Sequence, residues 1–264
     1  MEFGLKGRAA AIAASSKGLG FACALELAKE GVSVAICSRD AARIDEAAAR
    51  IRDTVPGAKV HAAVHDLSDE DGARAFVEDA AAKFGRLDIL VTNSGGPTPG
   101  SFDQLPVEKT RDAVASSLMA PIAMIYAAVP RMRAQKWGRI VNIMSVTVKQ
   151  PKSSLLISST MRTGLMGFSR TIANDLAADG ITVNNVAPGY TRTERLDELA
   201  EHLSATNKKS TDDVVAEWER TIPARRLGKP EELAAVVAFL ASERASYVTG
   251  TTVLVDGGAV QGLY

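Results

Sequence analysis

The stretch Ala9–Gly20 reads AAAIAASSKGLG, a short apolar run followed by a turn of small residues. The run Ala9–Ala13 has the length and composition of a buried strand. An amphipathic pattern from Phe21 to Glu30 follows and stops at Gly31, which predicts a helix. A glycine turn between a strand and a helix N-terminus favours an anion, because free backbone N–H groups and the helix dipole point at it. The stretch therefore predicts a phosphate-binding turn that opens a βαβ series.

The same alternation continues along the chain. Helical patterns at Ala41–Thr54 and Asp69–Phe84 end before Pro56 and at Gly85. Seven strands separated by helices predict an α/β fold with a doubly wound, seven-stranded parallel sheet flanked by helices. We expect residues 1–264 to form a single domain. The predicted strands after the first are Val32–Cys37, Val60–Val64, Leu87–Thr92, Arg139–Met144, Thr182–Val186 and Thr252–Val255.

Composition limits the classes of function. The 264 residues are 46% hydrophobic and 23% charged, as expected for a globular domain rather than a disordered one. The 31 basic and 31 acidic residues balance, and the basic set Lys149, Lys152, Arg162 and Arg170 lacks an aromatic platform, so we expect no nucleic-acid partner. The longest apolar stretch, residues 118–129, is too short to span a bilayer and contains Pro121, so we expect no membrane partner.

Cysteine and histidine usage adds two expectations. Cys23 and Cys37 lie far apart, and residues 1–8 lack the layout of a signal peptide, which together favour a cytoplasmic location. The three histidines, His61, His65 and His202, form no ligand cluster in the sequence, so we predict no metal site.

One segment departs from the strand–helix rhythm. Residues 192–223 are polar and follow the sixth predicted strand. Two interpretations stay open here: a mobile lid over a substrate, which α/β enzymes often carry at this place, or a solvated helix pair with a surface loop.

Several short blocks, taken together, resemble the short-chain dehydrogenase/reductase family, particularly its 3-oxoacyl-carrier-protein reductase-like members. The resemblance covers nearly all of the chain and implies a Rossmann-type fold. Its strongest part is the tail, where LGKPEE at 227–232, VTG at 248–250 and VDGG at 255–258 follow in order. In the first turn, Ala13 and Ala14 replace the family's Thr and first Gly. Either the methyl of Ala14 crowds the pyrophosphate, or it is tolerated at negative φ beside the hydroxyls of Ser15 and Ser16.

The resemblance implies a dinucleotide site built from five places in the chain. An acidic residue after the second strand would select NAD, whereas Ser38 and Arg39 stand there, with Lys17 in the turn. Since a guanidinium binds a 2′-phosphate that a carboxylate repels, NADP is expected in preference to NAD. The implied cofactor-binding residues are Ala14, Ser16, Lys17, Gly18, Leu19 and Gly20 in the turn, Ser38, Arg39, Asp66 and Leu67, then Asn93, Ser94 and Gly95, and finally Pro188, Gly189, Thr191 and Thr193.

The family's four catalytic positions are mostly substituted. Ser145 matches the family's Ser, but the Tyr position holds Ser158, the Lys position holds Arg162 and the Asn position falls at Ser117. An aliphatic hydroxyl is a far weaker acid than Tyr, and Arg does not release its proton usefully. Ser158 and Arg162 would then act by stabilising an oxyanion, with water as the proton source. Tyr190 and Tyr126 are weaker alternatives as proton donors.

Three functions stay open at this point. The leading one is an NADP-preferring short-chain oxidoreductase acting on a small-molecule carbonyl or acyl-thioester substrate, with the homotetramer or homodimer that is common in the family. A second is a cofactor-independent dehalogenase-like lyase, because such enzymes resemble this family and use Arg where Lys stood. The third is a non-catalytic NADP- or partner-binding homologue, since function depends on the site rather than on the fold.

Overall fold

A seven-stranded parallel sheet organises the chain, as predicted. The computed structural model describes residues 2–263, without the side chains of residues 202, 206 and 207. The sheet order is β3-β2-β1-β4-β5-β6-β7. The strands are β1 (Ala9–Ile12), β2 (Ser33–Ser38), β3 (Val60–Val64), β4 (Ile89–Thr92), β5 (Gly138–Ile143), β6 (Ile181–Pro188) and β7 (Thr252–Val255).

Nine α-helices lie within the described residues and cover both faces of the sheet. They are α1 (Gly18–Lys29), α2 (Ala41–Thr54), α3 (Glu70–Phe84), α4 (Val107–Val114), α5 (Ala120–Gln135), α6 (Leu156–Leu176), α7 (Glu194–Asn207), α8 (Thr211–Thr221) and α9 (Pro230–Leu240). The predicted α/β architecture is therefore confirmed. Within the predicted lid segment, α7 and α8 form a helix pair.

Two apolar cores, one on each face, hold the layers together. On one face Leu27 of α1 and Leu233 of α9 pack with Ile12 and Val141 of the sheet. On the other, Phe76 of α3 and Met124 of α5 pack with Leu90 of β4. Strands buried on both faces carry apolar side chains at almost every position, and this explains why the apolar runs in the sequence are continuous rather than alternating.

One continuous helical segment of the chain is long and strongly apolar. Residues 107–135 join α4 to α5 through a π-helical turn, Ala115–Met119, and are long and apolar enough to cross a membrane by length and composition. In the fold, however, Met124, Ala128 and Met132 of α5 are buried in the core that α3 shares. Burial between α3 and the sheet accounts for part of this composition, since 44% of the apolar window is buried.

Candidate active site

A cleft of about 460 Å³ opens where β1, β2, β3 and β4 end. Because β1 and β4 are neighbours whose connections leave to opposite sides, this is the crevice where doubly wound sheets bind ligands. The volume lies within the range of small-molecule sites. The cleft is lined by Ala14, Ser16, Lys17, Gly18, Leu19, Cys37, Ser38, Arg39, Arg43, His65, Asp66, Leu67, Ser68, Asn93, Ser94, Gly95, Ser116, Thr193, Glu194 and Arg195.

The structure gathers thirteen of the seventeen predicted cofactor residues on this cleft. Gly20, Pro188, Gly189 and Thr191 are not on its wall. Sequence reasoning missed Cys37, Arg43, His65, Ser68, Ser116, Glu194 and Arg195, which also line it. Burial raises the pKa of the Cys37 thiol to about 12, so this cysteine stays protonated at neutral pH.

The glycine turn suits a phosphate group. Gly18 has φ of +58°, and a Cβ on Gly20 would overlap the carbonyl oxygen of Ala14. Within the described chain, no side chain caps α1 and its first turn carries no acidic residue, so the helix N-terminus keeps its free N–H groups. These features fit the pyrophosphate of a dinucleotide.

The backbone of Ala14 does not adopt the negative φ at which its methyl group was expected to be tolerated. Its φ is +47°, a left-handed conformation that L-residues with a Cβ adopt at a cost of roughly 1–2 kcal/mol.

The hydroxyl of Ser15 does not point to the cleft as expected. Its side chain is fully buried, donates to the carbonyl of Ile12 at 2.7 Å and accepts from the Cys37 amide at 3.0 Å. It therefore joins β1 to β2, and Ser16 is the hydroxyl at the cleft.

The end of β2 presents two guanidinium groups to the cleft. Arg39 and Arg43 both line it, at the place where a ribose 2′-substituent would lie. Asp40 lies between them in sequence and outside the lining; it caps α2 by accepting from the Arg43 amide at 3.1 Å and also pairs with Arg43 Nε at 3.4 Å, so Arg39 is the guanidinium here without an acidic partner in the described residues. The local charge thus favours a 2′-phosphate.

The beginning of α7 contacts the glycine turn across the cleft. Lys17 Nζ lies 2.7 Å from Oε2 of Glu194 and 3.5 Å from Oε1 of Glu198. The hydrogen bond from Lys17 to Glu194 raises the pKa of the lysine. Thr193 caps α7 by accepting from the Leu196 amide. The predicted lid segment therefore already borders the cleft, while its role as a lid stays a prediction.

The four catalytic positions that the family resemblance implies are not part of the lining of this cleft. Ser145 follows β5, where its Oγ accepts from the Thr147 amide at 3.3 Å. Ser158 and Arg162 are one turn apart on α6 and so share a helix face. Arg162 Nη1 donates to the carbonyl of Ile143 at 2.7 Å, which brings this face to the end of β5. Their catalytic roles stay predictions.

The Asn position of the family falls in the π-helical turn. Ser117 is buried, and its Oγ has no partner among the described residues, whereas Ser116 lines the cleft. A π-helical turn shifts which residue faces a given side, and such turns are frequent at functional sites. Ser116 is therefore the serine of this pair that a ligand in the cleft would meet, and Ser117 stays a predicted position.

The loop after β6 serves a packing role in this structure. A Cβ on Gly189 would lie 2.9 Å from the Cα of Asp256, and Thr191 Oγ1 donates to the Gly189 carbonyl at 3.3 Å. The ring of Tyr190 stacks on that of Trp218 of α8, with 5.1 Å between the ring centroids. Lys152 Nζ lies over the Tyr190 ring, 4.3 Å from its centroid.

Neither alternative tyrosine lies on the cleft. Tyr190 instead lines a second cavity of about 370 Å³ next to the 255–258 turn. Tyr126, on α5, is 65% exposed beside Phe168.

A buried polar chain fixes the strand ends beside Ser145. Thr92 donates to Asn142 at 2.6 Å, Asn142 donates to Asn185 at 3.1 Å, and Asn185 donates to Thr252 at 3.1 Å. The chain links β4, β5, β6 and β7, and satisfied networks of this kind specify one arrangement of a core.

His61 and His65, which share a face if the third strand continues, converge on one carboxylate, a partner that the sequence did not indicate. His61 Nε2 and His65 Nε2 lie 2.9 Å and 3.3 Å from Oδ2 of Asp79, and their hydrogen bonds lower the pKa of that carboxyl despite its partial burial. Residues 2–263, apart from the omitted side chains, contain no cluster suited to a metal ion. The side chain of His202 lies outside the described residues.

Comparison with known proteins places these features in a family. The family described as enoyl-(acyl carrier protein) reductase matches residues 13–260. NADPH-dependent reductase BacG of Bacillus subtilis (strain 168) is 33% identical over 97% of this chain and 99% of its own length. The 3-oxoacyl-[acyl-carrier-protein] reductase FabG of Aquifex aeolicus (strain VF5) is 32% identical over 98% and 99%.

A solved structure agrees over the full length. L-sorbose reductase from Gluconobacter frateurii, in complex with NADPH and L-sorbose, superposes with a TM-score of 0.94 at 32% identity, covering all of both chains. Together with the glycine turn, the strand order and the tail motifs, these matches show that the chain belongs to the short-chain dehydrogenase/reductase family.

Proposed function

We propose that the protein is an NADPH-dependent oxidoreductase that reduces a carbonyl group or oxidises the corresponding alcohol. The observation that carries this proposal is the cleft itself, with an uncapped helix N-terminus for the pyrophosphate and Arg39 with Arg43 for the 2′-phosphate. The relatives support it, since BacG is named an NADPH-dependent reductase and L-sorbose reductase was solved with NADPH.

The residues present fit the cofactor. Ser16, Gly18 and Leu19 would hold the pyrophosphate, Asp66 and Leu67 would border the adenine, and Asn93 with Thr193 would border the middle of the cleft. When bound, NADPH supplies the hydride. The Asn93 amide donates to the Ala14 carbonyl at 3.2 Å, and this contact holds the glycine turn against the loop after β4.

The residues around Ser145 orient and polarise the carbonyl. The Ser145 hydroxyl donates to the carbonyl oxygen of the substrate, Ser158 provides a second hydroxyl, and the charge of Arg162 stabilises the developing oxyanion. Arg162 suits this role because it is fixed to Ile143, two residues before Ser145, and stays protonated at neutral pH.

Proton delivery differs from that of a tyrosine-based site. Neither serine is acidic enough to serve as the proton donor, so water supplies the proton to the alkoxide. The absence of a positioned general acid costs about 10²–10⁴-fold in rate. We therefore expect slow turnover compared with a family member that carries Tyr and Lys.

The experiment is an NADPH-oxidation assay with a 3-oxoacyl thioester and a panel of simple ketones. A 3-oxoacyl thioester is the substrate class that the FabG relative suggests. We expect turnover that Ser145→Ala reduces by at least about 10²-fold while NADPH affinity stays unchanged. Binding of NADPH without hydride transfer to any tested carbonyl would contradict the proposal.

A double variant separates an adapted site from a decayed one. Ser158→Tyr with Arg162→Lys rebuilds the family's proton donor and its lysine. If the natural protein turns over, Ser158 and Arg162 form a working reductase site, and a rate gain in the variant measures the missing general acid. If activity appears in the variant alone, the natural protein is a non-catalytic NADP-binding homologue. Release of halide from a halohydrin without nucleotide would instead support the dehalogenase-like alternative.

We also propose that the protein assembles through α5 and α6 into a homodimer or homotetramer in the cytoplasm. Tyr126 of α5 is 65% exposed and lies beside Phe168 of α6, an apolar pair suited to an interface. Light scattering should show a dimer or tetramer that Tyr126→Glu dissociates. A monomer in the unmodified protein would contradict this assembly.

A further inference from the structure

Two arginine side chains are anchored near the ends of neighbouring strands, Arg162 on the last residue of β5 and Arg195 on the segment after β4. Arg162 of α6 is 9% exposed, and its Nε has no hydrogen-bond partner in the described part of the chain. Arg195, in the first turn of α7, donates from Nη2 to the Pro97 carbonyl at 3.3 Å and packs on Gly96, where a Cβ would overlap its guanidinium. Arg195 also lines the cleft, where the protein covers its side chain only in part.

The charges of these two arginines are not neutralised by the protein. Burial, followed by the positive charge of Arg195, lowers the pKa of Arg162 to about 10. Burial likewise lowers the pKa of Arg195, which the charge of Glu198 opposes. Glu198 is the carboxylate whose charge acts on Arg195, and none acts on Arg162 among the described residues. A buried guanidinium without an acidic neighbour, beside a second arginine, favours an anion.

The positions of the two arginines indicate which molecule, cofactor or substrate, would supply that anion. The pyrophosphate has the α1 N-terminus and the 2′-phosphate has Arg39 and Arg43, so the phosphates of the cofactor have donors of their own. Arg162 instead contacts Ile143, two residues before Ser145, at the end where the carbonyl is reduced. The planar guanidinium fork matches a carboxylate bidentately.

We propose that Arg162 and Arg195 bind the carboxylate of the substrate, so that the protein acts on an oxo acid. This inference rests on the proposed reductase function and names its substrate class. A carboxylate close to the carbonyl lets Arg162 serve both groups, because beside the Ile143 bond its buried Nε and its second terminal nitrogen have no hydrogen-bond partner among the described residues. Ser145 then orients the carbonyl oxygen of the same molecule.

The test compares 2-oxo acids with their methyl esters as substrates of the full-length protein with NADPH. We expect kcat/KM for the acid to exceed that for the ester by about 10–100-fold, the range of charge-assisted hydrogen bonds. Arg195→Gln should remove most of this preference by lowering acid turnover far more than ester turnover, and NADPH affinity is measured alongside because Arg195 also lines the cofactor cleft. Arg192→Gln, an exposed arginine three residues away, serves as the matched control and should keep the preference.

Three outcomes would overturn the proposal: equal use of acid and ester, an unchanged preference in Arg195→Gln, or a loss of NADPH affinity without a change in preference. The last outcome would assign the pair to a phosphate of the cofactor. Calorimetry of acid and ester binding to the NADP⁺-loaded protein separates the two proposals. Selective acid binding without turnover supports the carboxylate site and contradicts the reductase, whereas turnover of neutral ketones alone does the reverse.

Discussion

The ammonium of Lys17 lies 2.7 Å from a carboxylate oxygen of Glu194, and this ion pair joins the glycine turn to α7 across the mouth of the cleft. Both residues line the cleft where phosphates would bind. The positive charge of Lys17 favours a bound phosphate, whereas the negative charge of its partner Glu194 disfavours one. Glu198, at 3.5 Å, adds a second negative charge.

Removing the charge of Glu194 should strengthen NADPH binding. Glu194→Gln frees Lys17 and removes repulsion of the phosphates, and because the pair is solvent-exposed we expect a gain of only about two- to fivefold in affinity. Isothermal calorimetry at low ionic strength measures it. Glu201→Gln, an exposed acid further along α7, should have no effect. Weaker binding in Glu194→Gln would show that the ion pair supports the cofactor site instead.

Arg39 should set the preference for NADPH over NADH. Arg39→Ala removes a guanidinium from the 2′-phosphate position, and loss of a charge-assisted hydrogen bond costs about 10–100-fold in NADPH affinity. NADH affinity should stay within about threefold, because NADH has no phosphate there. Fluorescence titration of both nucleotides checks this. Arg74→Ala, an exposed arginine on α3, is the control, and equal losses for the two nucleotides would contradict the assignment.

Ala14→Gly should stabilise the protein. At φ of +47° alanine is strained and glycine is not, while glycine adds conformational entropy to the unfolded chain, so we expect a net gain of about 1 kcal/mol. In thermal unfolding this corresponds to roughly 2–4 °C. Ala49→Gly, at an exposed position of α2, should lower stability by a similar amount. A lower Tm for Ala14→Gly would mean that the methyl group makes contacts worth more than the strain.

The pH dependence of turnover should reveal the missing tyrosine. Burial lowers the pKa of Arg162 to about 10, so the arginine stays protonated and charged from pH 6 to about 9 and loses its charge only as pH approaches 10. With water as the proton source, kcat/KM should lack a tyrosine titration in that window and fall only near its upper limit. Ser158→Tyr with Arg162→Lys should introduce a titration. A single ionisation near neutral pH in the natural protein would point to another proton donor.

The fold could be predicted from the sequence because its signal is local. Strands buried on both faces leave continuous apolar runs, and stops such as Gly31 and Gly85 mark helix ends. Most of the cofactor cleft followed from the resemblance to the family, whose blocks occupy the loops directly after predicted strands. Side-chain and backbone conformation could not be predicted in the same way. The positive φ of Ala14 and the inward hydroxyl of Ser15 depend on how the turn packs against β2.

Two further features depended on tertiary structure. The π-helical turn places Ser116 rather than Ser117 on the cleft, and counting residues along a regular helix does not reveal such a turn. Arg195 lies in a polar segment without periodicity, and only folding brings its guanidinium to Gly96 and near Arg162.

The most direct test of the central claim is a side-by-side titration of the purified protein with NADPH and NADH. The cleft geometry predicts saturable binding of NADPH that is at least about tenfold tighter than that of NADH, because Arg39 and Arg43 meet the 2′-phosphate. No measurable binding of either nucleotide would contradict the account. It would mean that the strained Ala14 turn closes the phosphate site, and that the protein is not a nicotinamide-dependent enzyme.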